Sequence, residues 1–183
     1  FGLVSRLTRQ KGIDLLLARS GLHLRRREDP GALLEQAGVL ARQAEPAARI
    51  ELALVEAFWF ARRDRARAGA ALAEAGRLIE AHEPAQLPPD DHACLFARWI
   101  DQRAYPLNKP PPGQRPDHAG AVALYDQIPA HGPNFARCRR ETGLGWSRLQ
   151  LGRREAAQAH ARASMEAAGD SGSLRMRAMA LNL

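Results

Sequence analysis

What most restricts the fold of this chain is a rhythm. From Gly31 onward, apolar residues recur at helical spacing in runs of about 12 to 17, and each run stops at proline or glycine. Leu33, Leu34, Ala37 and Leu40 give one face of a helix over Gly31 to Gln43. Leu52, Val55, Phe58 and Trp59 do so over Ala48 to Arg63, and Ala68, Leu72, Ala75 and Ile79 over Arg65 to Ala81. The prolines between Glu83 and Asp90 force a loop, and a helix resumes over Asp91 to Ala104 with Asp90 or Asp91 as its N-cap. Pro106, Pro110 to Pro112, Gly113 and Pro116 are unsuited to a helix interior, so Tyr105 to Pro116 reads as a break holding a Pro-rich insertion. Further helices are expected over Asp117 to Gln127, over Asn134 (as N-cap) to Gln150, over Arg154 to Ala168, and from Ser173 to Leu183.

No strand pattern interrupts these helices, so the expectation for residues 31–183 is an all-α domain of antiparallel helix pairs. The filling is right for it: 45% of residues are hydrophobic but only 5% aromatic, so alanine and leucine must make the core. One unit carries the pairing most clearly, Gly143-Leu-Gly-Trp-Ser-Arg-Leu-Gln-Leu-Gly-Arg-Arg-Glu-Ala-Ala-Gln-Ala-His-Ala-Arg-Ala-Ser164. Leu144 and Gly145 supply the close-contact pair of a first helix, Gly152 the turn, and Ala157, Ala161 and Ser164 the small contacts of a second. The unit is similar to a tetratricopeptide repeat, with Arg148 where that family usually has tyrosine and Gly169 where it often has proline. Fainter copies begin at Ala66 and Ala121. Ala121 and Ala157 are 36 residues apart, near the family's period of about 34. The 55 residues from Ala66 to Ala121 fit only with the Pro-rich loop as an insertion. The resemblance implies a short right-handed stack of helix pairs whose inner helices, Ala48 to Arg63, Asp91 to Ala104 and Asn134 to Gln150, face a protein or peptide partner.

The opening of the chain has a different character. Phe1-Gly-Leu-Val-Ser-Arg-Leu-Thr-Arg-Gln-Lys-Gly-Ile-Asp-Leu-Leu-Leu17 resembles the SRLTxQKG segment of bacterial glycogen and starch synthases, and implies a short strand-turn-helix over residues 1–20. By that resemblance Arg6 and Lys11 reach the diphosphate of a sugar nucleotide, where fixed cations stabilise a departing ADP. The activity implied is glucosyl transfer from ADP-glucose to an α-1,4-glucan. The family's later strands, glycine-rich turns and Glu-containing segment do not follow Leu17, so the expectation is a segment inactive as it stands, joined through residues 21–30 to the helices. The chain opens on Phe1, which reads as a fragment or a fusion.

Charge narrows the partner. The formal net charge is +7, carried almost wholly by arginine, with Lys11 and Lys109 the two lysines. The densest runs, around Arg25, Arg62 and Arg137, are interleaved with carboxylates or alanines and lack aromatic platforms, which argues against nucleic acid. Among the inner-helix residues Trp59, Arg98, Arg137 and Arg148 are the candidate partner contacts, and the arginines favour an acidic segment or a peptide carboxylate. No nucleophile, general-base or metal-ligand constellation is present: the six histidines never pair as HxxxH or HExxH, and His92-Ala-Cys94 lacks a second ligand pair. Neither cofactor nor catalytic residue is therefore expected. Cys94 and Cys138 stand far apart, which suits a reduced, cytoplasmic chain, and no apolar run approaches a membrane span. The hydrophobic end, Met176 to Leu183, is expected to promote self-association.

Overall fold

A computed structural model describes residues 31–41, 45–81, 87–170, 176, 177, 180 and 181. Among these the chain is all-helical, with no strand: α1 (Gly31–Ala41), α2 (Pro46–Phe60), α3 (Arg65–Ala81), α4 (Pro89–Asn108), α5 (His118–Tyr125), α6 (Asn134–Gln150) and α7 (Arg154–Asp170). Met176, Arg177 and Ala180 are also helical. The expected strand-turn-helix over residues 1–20 and the junction over 21–30 lie outside the described residues. The chain divides into two compact units, Phe1–Pro89 and Asp90–Leu183.

In the first unit α2 is the central element. Pro46 opens it in the first turn, where a missing N–H costs nothing, and the Glu45 carbonyl accepts from Ala48 and Arg49 at 3.1 and 3.4 Å. One stripe of α2, Ala48, Leu52, Val55 and Trp59, is buried with Leu34, Ala37 and Ala41 of α1. The opposite stripe, Ile50, Leu54 and Ala57, is buried as well, as are Ala75, Leu78 and Ile79 of α3, which packs beside α2. Two buried stripes explain why the helix is apolar on most sides. It ends at Phe60 and not at Arg63: residues 61–63 form a turn in which Arg63 and Asp64 both donate to the Phe60 carbonyl. Asp64 then caps α3, its Oδ1 accepting from Arg67 N at 3.0 Å.

In the second unit α4 corrects the expected break. The helix starts at Pro89, so Asp90 and Asp91 lie in its first turn and complement the helix dipole instead of capping it. It also runs through Pro106 to Asn108. Proline removes one helical donor, yet the residues around it are held by tertiary contacts: Ala104 is fully buried, and Asn108 is 8% exposed and hydrogen-bonded on both sides. The Pro-rich insertion is thereby confined to the residues after Asn108. It folds back through Gly113 at φ 86° until Asp117 N donates to the Leu107 carbonyl at 2.8 Å. Asp117 caps α5, its carboxylate accepting from Gly120 N at 2.8 Å.

Asn134 is the first residue of α6 and not its cap; that position falls to Pro133. The turn into α7 is a Schellman motif, with Arg153 N on the Arg148 carbonyl at 2.9 Å, Gly152 N on the Leu149 carbonyl at 3.0 Å, and Gly152 at φ 74°. Helix α7 continues through Gly169 to Asp170, past the expected stop. Polar contacts fix the directions of the helices. Asp101 meets Tyr125 and Asn108 meets His118, so α5 runs against α4. Ile128 meets Arg140 beside the Tyr125–Gly143 contact, so α6 runs against α5. Glu141 meets His160 and Cys138 meets Ser164, so α7 runs against α6. The core between α4, α5 and α6 holds Ala97, Ile100, Ala104, Ala121, Tyr125, Ile128, Ala136 and Leu144. A second cluster, Cys138, Ala167, Ala168, Met176 and Ala180, joins α6 and α7 to the following segment.

Candidate functional site

Helices α4 and α6 lie side by side and parallel, tied by rungs whose residue numbers rise together. Asp101 is paired with Arg139, 38 residues on. Asn108 Nδ2 donates to Ser147 Oγ at 2.9 Å, 39 residues on, and Ser147 Oγ bonds the Gly143 carbonyl at 2.8 Å within α6. Ser147 is fully buried, so the Asn108 bond is a register pin and not a surface feature. Tyr125 reaches the Asp101 rung from below, its hydroxyl donating to Asp101 Oδ1 at 2.8 Å. Burial first, and the Asp101 carboxylate second, push the Tyr125 phenol well above its usual range.

Beside these rungs each helix carries a partly exposed stripe. On α4 the heptad-spaced set is Asp91, Arg98, Gln102 and Tyr105, continued just past the helix by Lys109, whose backbone N–H donates to the Tyr105 carbonyl at 2.9 Å; on α6 it is Phe135, Trp146 and Gln150, with the rung residue Arg139 among them. Lys109 Nζ stands 4.6 Å over the Trp146 ring and 5.7 Å from the centre of the Tyr105 ring. Arg139 lies over Phe135 at 4.9 Å. Among the described residues no carboxylate pairs with Lys109, and the central carboxylate of the face, Asp101, is spent on Tyr125 and Arg139. Asp91 begins the stripe about 27 Å from Lys109 at 1.5 Å per residue. Burial, then Asp90 and Asp91, push the Cys94 thiol up, which keeps it protonated at neutral pH. The Trp146 indole Nε1–H and the Arg139 Nε–H are buried with no acceptor among the described residues. The face offers donors and aromatic rings, and at its Lys109 end it is cationic.

The residues singled out from sequence scatter over several surfaces. Arg6 and Lys11 lie outside the described residues. Trp59 is 6% exposed in the α1–α2 core with Arg63 stacked over its ring at 3.4 Å; the aromatic that α2 exposes is Phe58. Arg98 lies on the α4 stripe, partly buried. Arg137 hydrogen-bonds Asn134 within α6 at 3.2 Å. Arg148 leans the other way, toward Asp126 after α5 at 3.8 Å, where Arg140 also pairs at 3.3 Å. Arg137 and Arg148 are eleven residues apart, three helical turns, and share a side of α6 away from Lys109. Lys109, Tyr105 and Trp146 were missed as a group. The i, i+4 spacing of Tyr105 and Lys109 is readable only if the helix continues through Pro106.

Other polar clusters serve packing. Glu141 binds both Arg140 and His160, the latter at 2.6 Å, and clips α6 to α7. Thr142 and Ser164 bond at 2.7 Å beside the buried Cys138 thiol. Among the described residues no group of three or more His, Cys, Asp or Glu could hold a metal ion, and no helix is long and apolar enough to cross a membrane. Comparison of the chain with protein-family models, with curated proteins and with solved structures gives no match.

Proposed function

We propose that the chain is a non-catalytic helical-repeat module that docks an acidic protein or peptide segment along the α4–α6 face. The repeat reading is supported by the alternation of directions: each helix from α4 to α7 runs against the one before it, and α4 is parallel to α6 with a register of 38 to 39 residues. Ala121 and Ala157, 36 residues apart, are both buried, as equivalent small contacts of two pairs would be. In such an array the inner helices carry side chains that are not needed for the core, and these are free to read a ligand.

One observation carries the partner chemistry. Lys109 holds its ammonium group against two aromatic rings with no carboxylate partner among the described residues, on a face whose central carboxylate is already neutralised. A cation so placed favours an anionic segment both in the encounter and in the bound state. The test is fluorescence anisotropy of a labelled, terminally blocked dodecapeptide of four Glu-Ser-Gly triplets, beside its Gln-Ser-Gly counterpart. The Glu peptide should bind more tightly, and the difference should shrink as salt is added. Equal affinities for the two peptides at low salt would refute the proposal. Glucosyl transfer through Arg6 and Lys11 has its support in the first seventeen residues alone, and the α4–α6 face adds none to it.

A further inference from the structure

The α4 stripe that ends at Lys109 begins on a charge of the opposite sign. Asp91 and Lys109 are both exposed. Eighteen residues of helical path, about five turns, separate them, so they lie on the same side of α4 about 27 Å apart. Neither forms an ion pair among the described residues. Between them the Asp101 carboxylate is spent on Tyr125 and Arg139. The Cys94 thiol, which senses Asp91, is protonated at neutral pH and does not offset it. The helix dipole supplies about half a positive charge at this end of α4, less than Asp90 and Asp91 carry together. The face is therefore negative where α4 starts and positive where it ends.

We infer that the α4–α6 face reads two charges in its partner: an acidic residue at Lys109 and a basic residue at Asp91. Short segments are not helical in water, and an extended chain covers 27 Å in about eight residues. The partner is thus a segment whose acidic and basic residues stand about eight apart. Specificity follows from the two ends together. A wholly acidic segment gains at Lys109 and is repelled at Asp91, and a wholly basic one meets the reverse. A segment with one charge of each sign is satisfied at both ends, and only when it lies in one direction along α4. The net charge of +7 makes this distinguishable from general attraction, which favours the more acidic of two ligands, whereas Asp91 favours the one that carries the cation. This inference rests on the α4–α6 face being the docking surface, and it goes further by naming the second charge, its distance and the direction it imposes.

The experiment is two-dimensional NMR titration of the ¹⁵N-labelled full chain, with affinities taken from the backbone and indole N–H signals. The ligand is a blocked decapeptide, Glu-Glu-Gly-Ser-Gly-Ser-Gly-Ser-Gly-Arg, whose arginine follows the second glutamate by eight residues. Three relatives accompany it: one ending in Gln, one with the arginine moved to three residues after the glutamates, and one with Gln at every charged position. The arginine-ended peptide should bind about threefold more tightly than the Gln-ended one, although it is the less acidic, since an exposed ion pair is worth about two- to fivefold. The gain should be lost when the arginine is moved closer, and lost in Asp91→Asn. It should survive in Asp90→Asn, where the changed residue stands about 100° round the helix. A Gln-ended peptide bound as tightly as its arginine-ended partner, or a gain that persists in Asp91→Asn, would overturn the inference. Equal binding with the arginine moved would overturn it too. In each of those cases the docking face stands as long as the Gln-ended peptide outbinds the all-neutral one. If the all-neutral peptide binds as well as the others, or no signal moves at millimolar peptide, the docking face and the second charge fall together.

Discussion

Gly143 is the point at which the second unit tolerates least change, and the cost of altering it follows from geometry. A Cβ built on Gly143 would lie 2.3 Å from two carbons of the Tyr125 ring and 2.5 Å from a third. Comfortable carbon contacts are about 3.5–4.0 Å, so the ring has to retreat by more than an ångström. It is not free to do so. Tyr125 is 3% exposed and its hydroxyl is tied to Asp101, which in turn holds Arg139 on α6. Overpacking of this kind costs about 1–3 kcal/mol, and straining a hydrogen bond to a charged acceptor adds about 1.5–3. Against this stands the gain of about 1 kcal/mol for replacing glycine by alanine within a helix. Gly143→Ala is therefore expected to destabilise the unit by about 3 kcal/mol net.

The readout is the urea midpoint taken from the Trp146 indole signal, which reports the Asp90–Leu183 unit by itself. Gly69 supplies the control. It is exposed within α3, nothing lies within 4 Å of a Cβ added there, and Gly69→Ala should be neutral or stabilising by up to about 1 kcal/mol. Tyr125→Ala should erase most of the penalty of Gly143→Ala in a double-mutant cycle. If Gly143→Ala is as stable as the parent chain, the close approach of α5 to α6, and with it the seating of Asp101 and Arg139, is wrong.

Three further outcomes are expected. Gly152→Ala places a Cβ at φ 74°, and should cost about 1 kcal/mol in the same urea assay although nothing crowds the site. The buried Tyr125 phenol keeps its proton in the folded chain after an unfolded tyrosine has lost it, so stability is fully present below about pH 10 and falls as pH rises beyond; Tyr125→Phe should flatten that fall in denaturation measured from pH 9 to 11. Arg6→Ala/Lys11→Ala should leave Glu-peptide affinity unchanged by anisotropy, and a loss of more than about fivefold would implicate the opening segment in docking.

Some of the fold was legible in the residues because the local signals were strong and agreed. The bounds of α3 and α6 and the turn at Gly152 follow from glycine, proline and helical spacing alone. The extent of α4 was not legible. Proline is disfavoured in a helix interior by about 3 kcal/mol in isolation, and what outweighs it here is the burial of Ala104 and the pinning of Asn108 to Ser147 and His118, contacts 10 to 39 residues away. The candidate face was hidden for the same reason, because Lys109 follows directly on α4, its N–H on the Tyr105 carbonyl, only once the helix passes Pro106. On α6 the arginines Arg137, Arg139, Arg140 and Arg148 look alike in sequence, but two packed neighbours divide them. Arg139 goes to α4, Arg140 to the α5 turn and Glu141, and Arg148 to Asp126. Which side of a helix meets which neighbour is a tertiary fact, and it decides which arginine faces outward. Trp59, expected among the partner contacts, is instead buried in the α1–α2 core, where its apolar neighbours hold it and Arg63 roofs the ring.

The docking of an acidic segment at Lys109 is tested most directly by reversing the charge. The Lys109→Glu chain would be titrated by anisotropy with the Glu-Ser-Gly dodecapeptide and with its Lys-Ser-Gly counterpart, beside the parent chain. The parent should prefer the Glu peptide and the variant the Lys peptide, a swing of about a hundredfold in relative affinity if each contact is worth about tenfold. An unchanged preference in a folded Lys109→Glu chain would show that the partner-reading surface lies elsewhere.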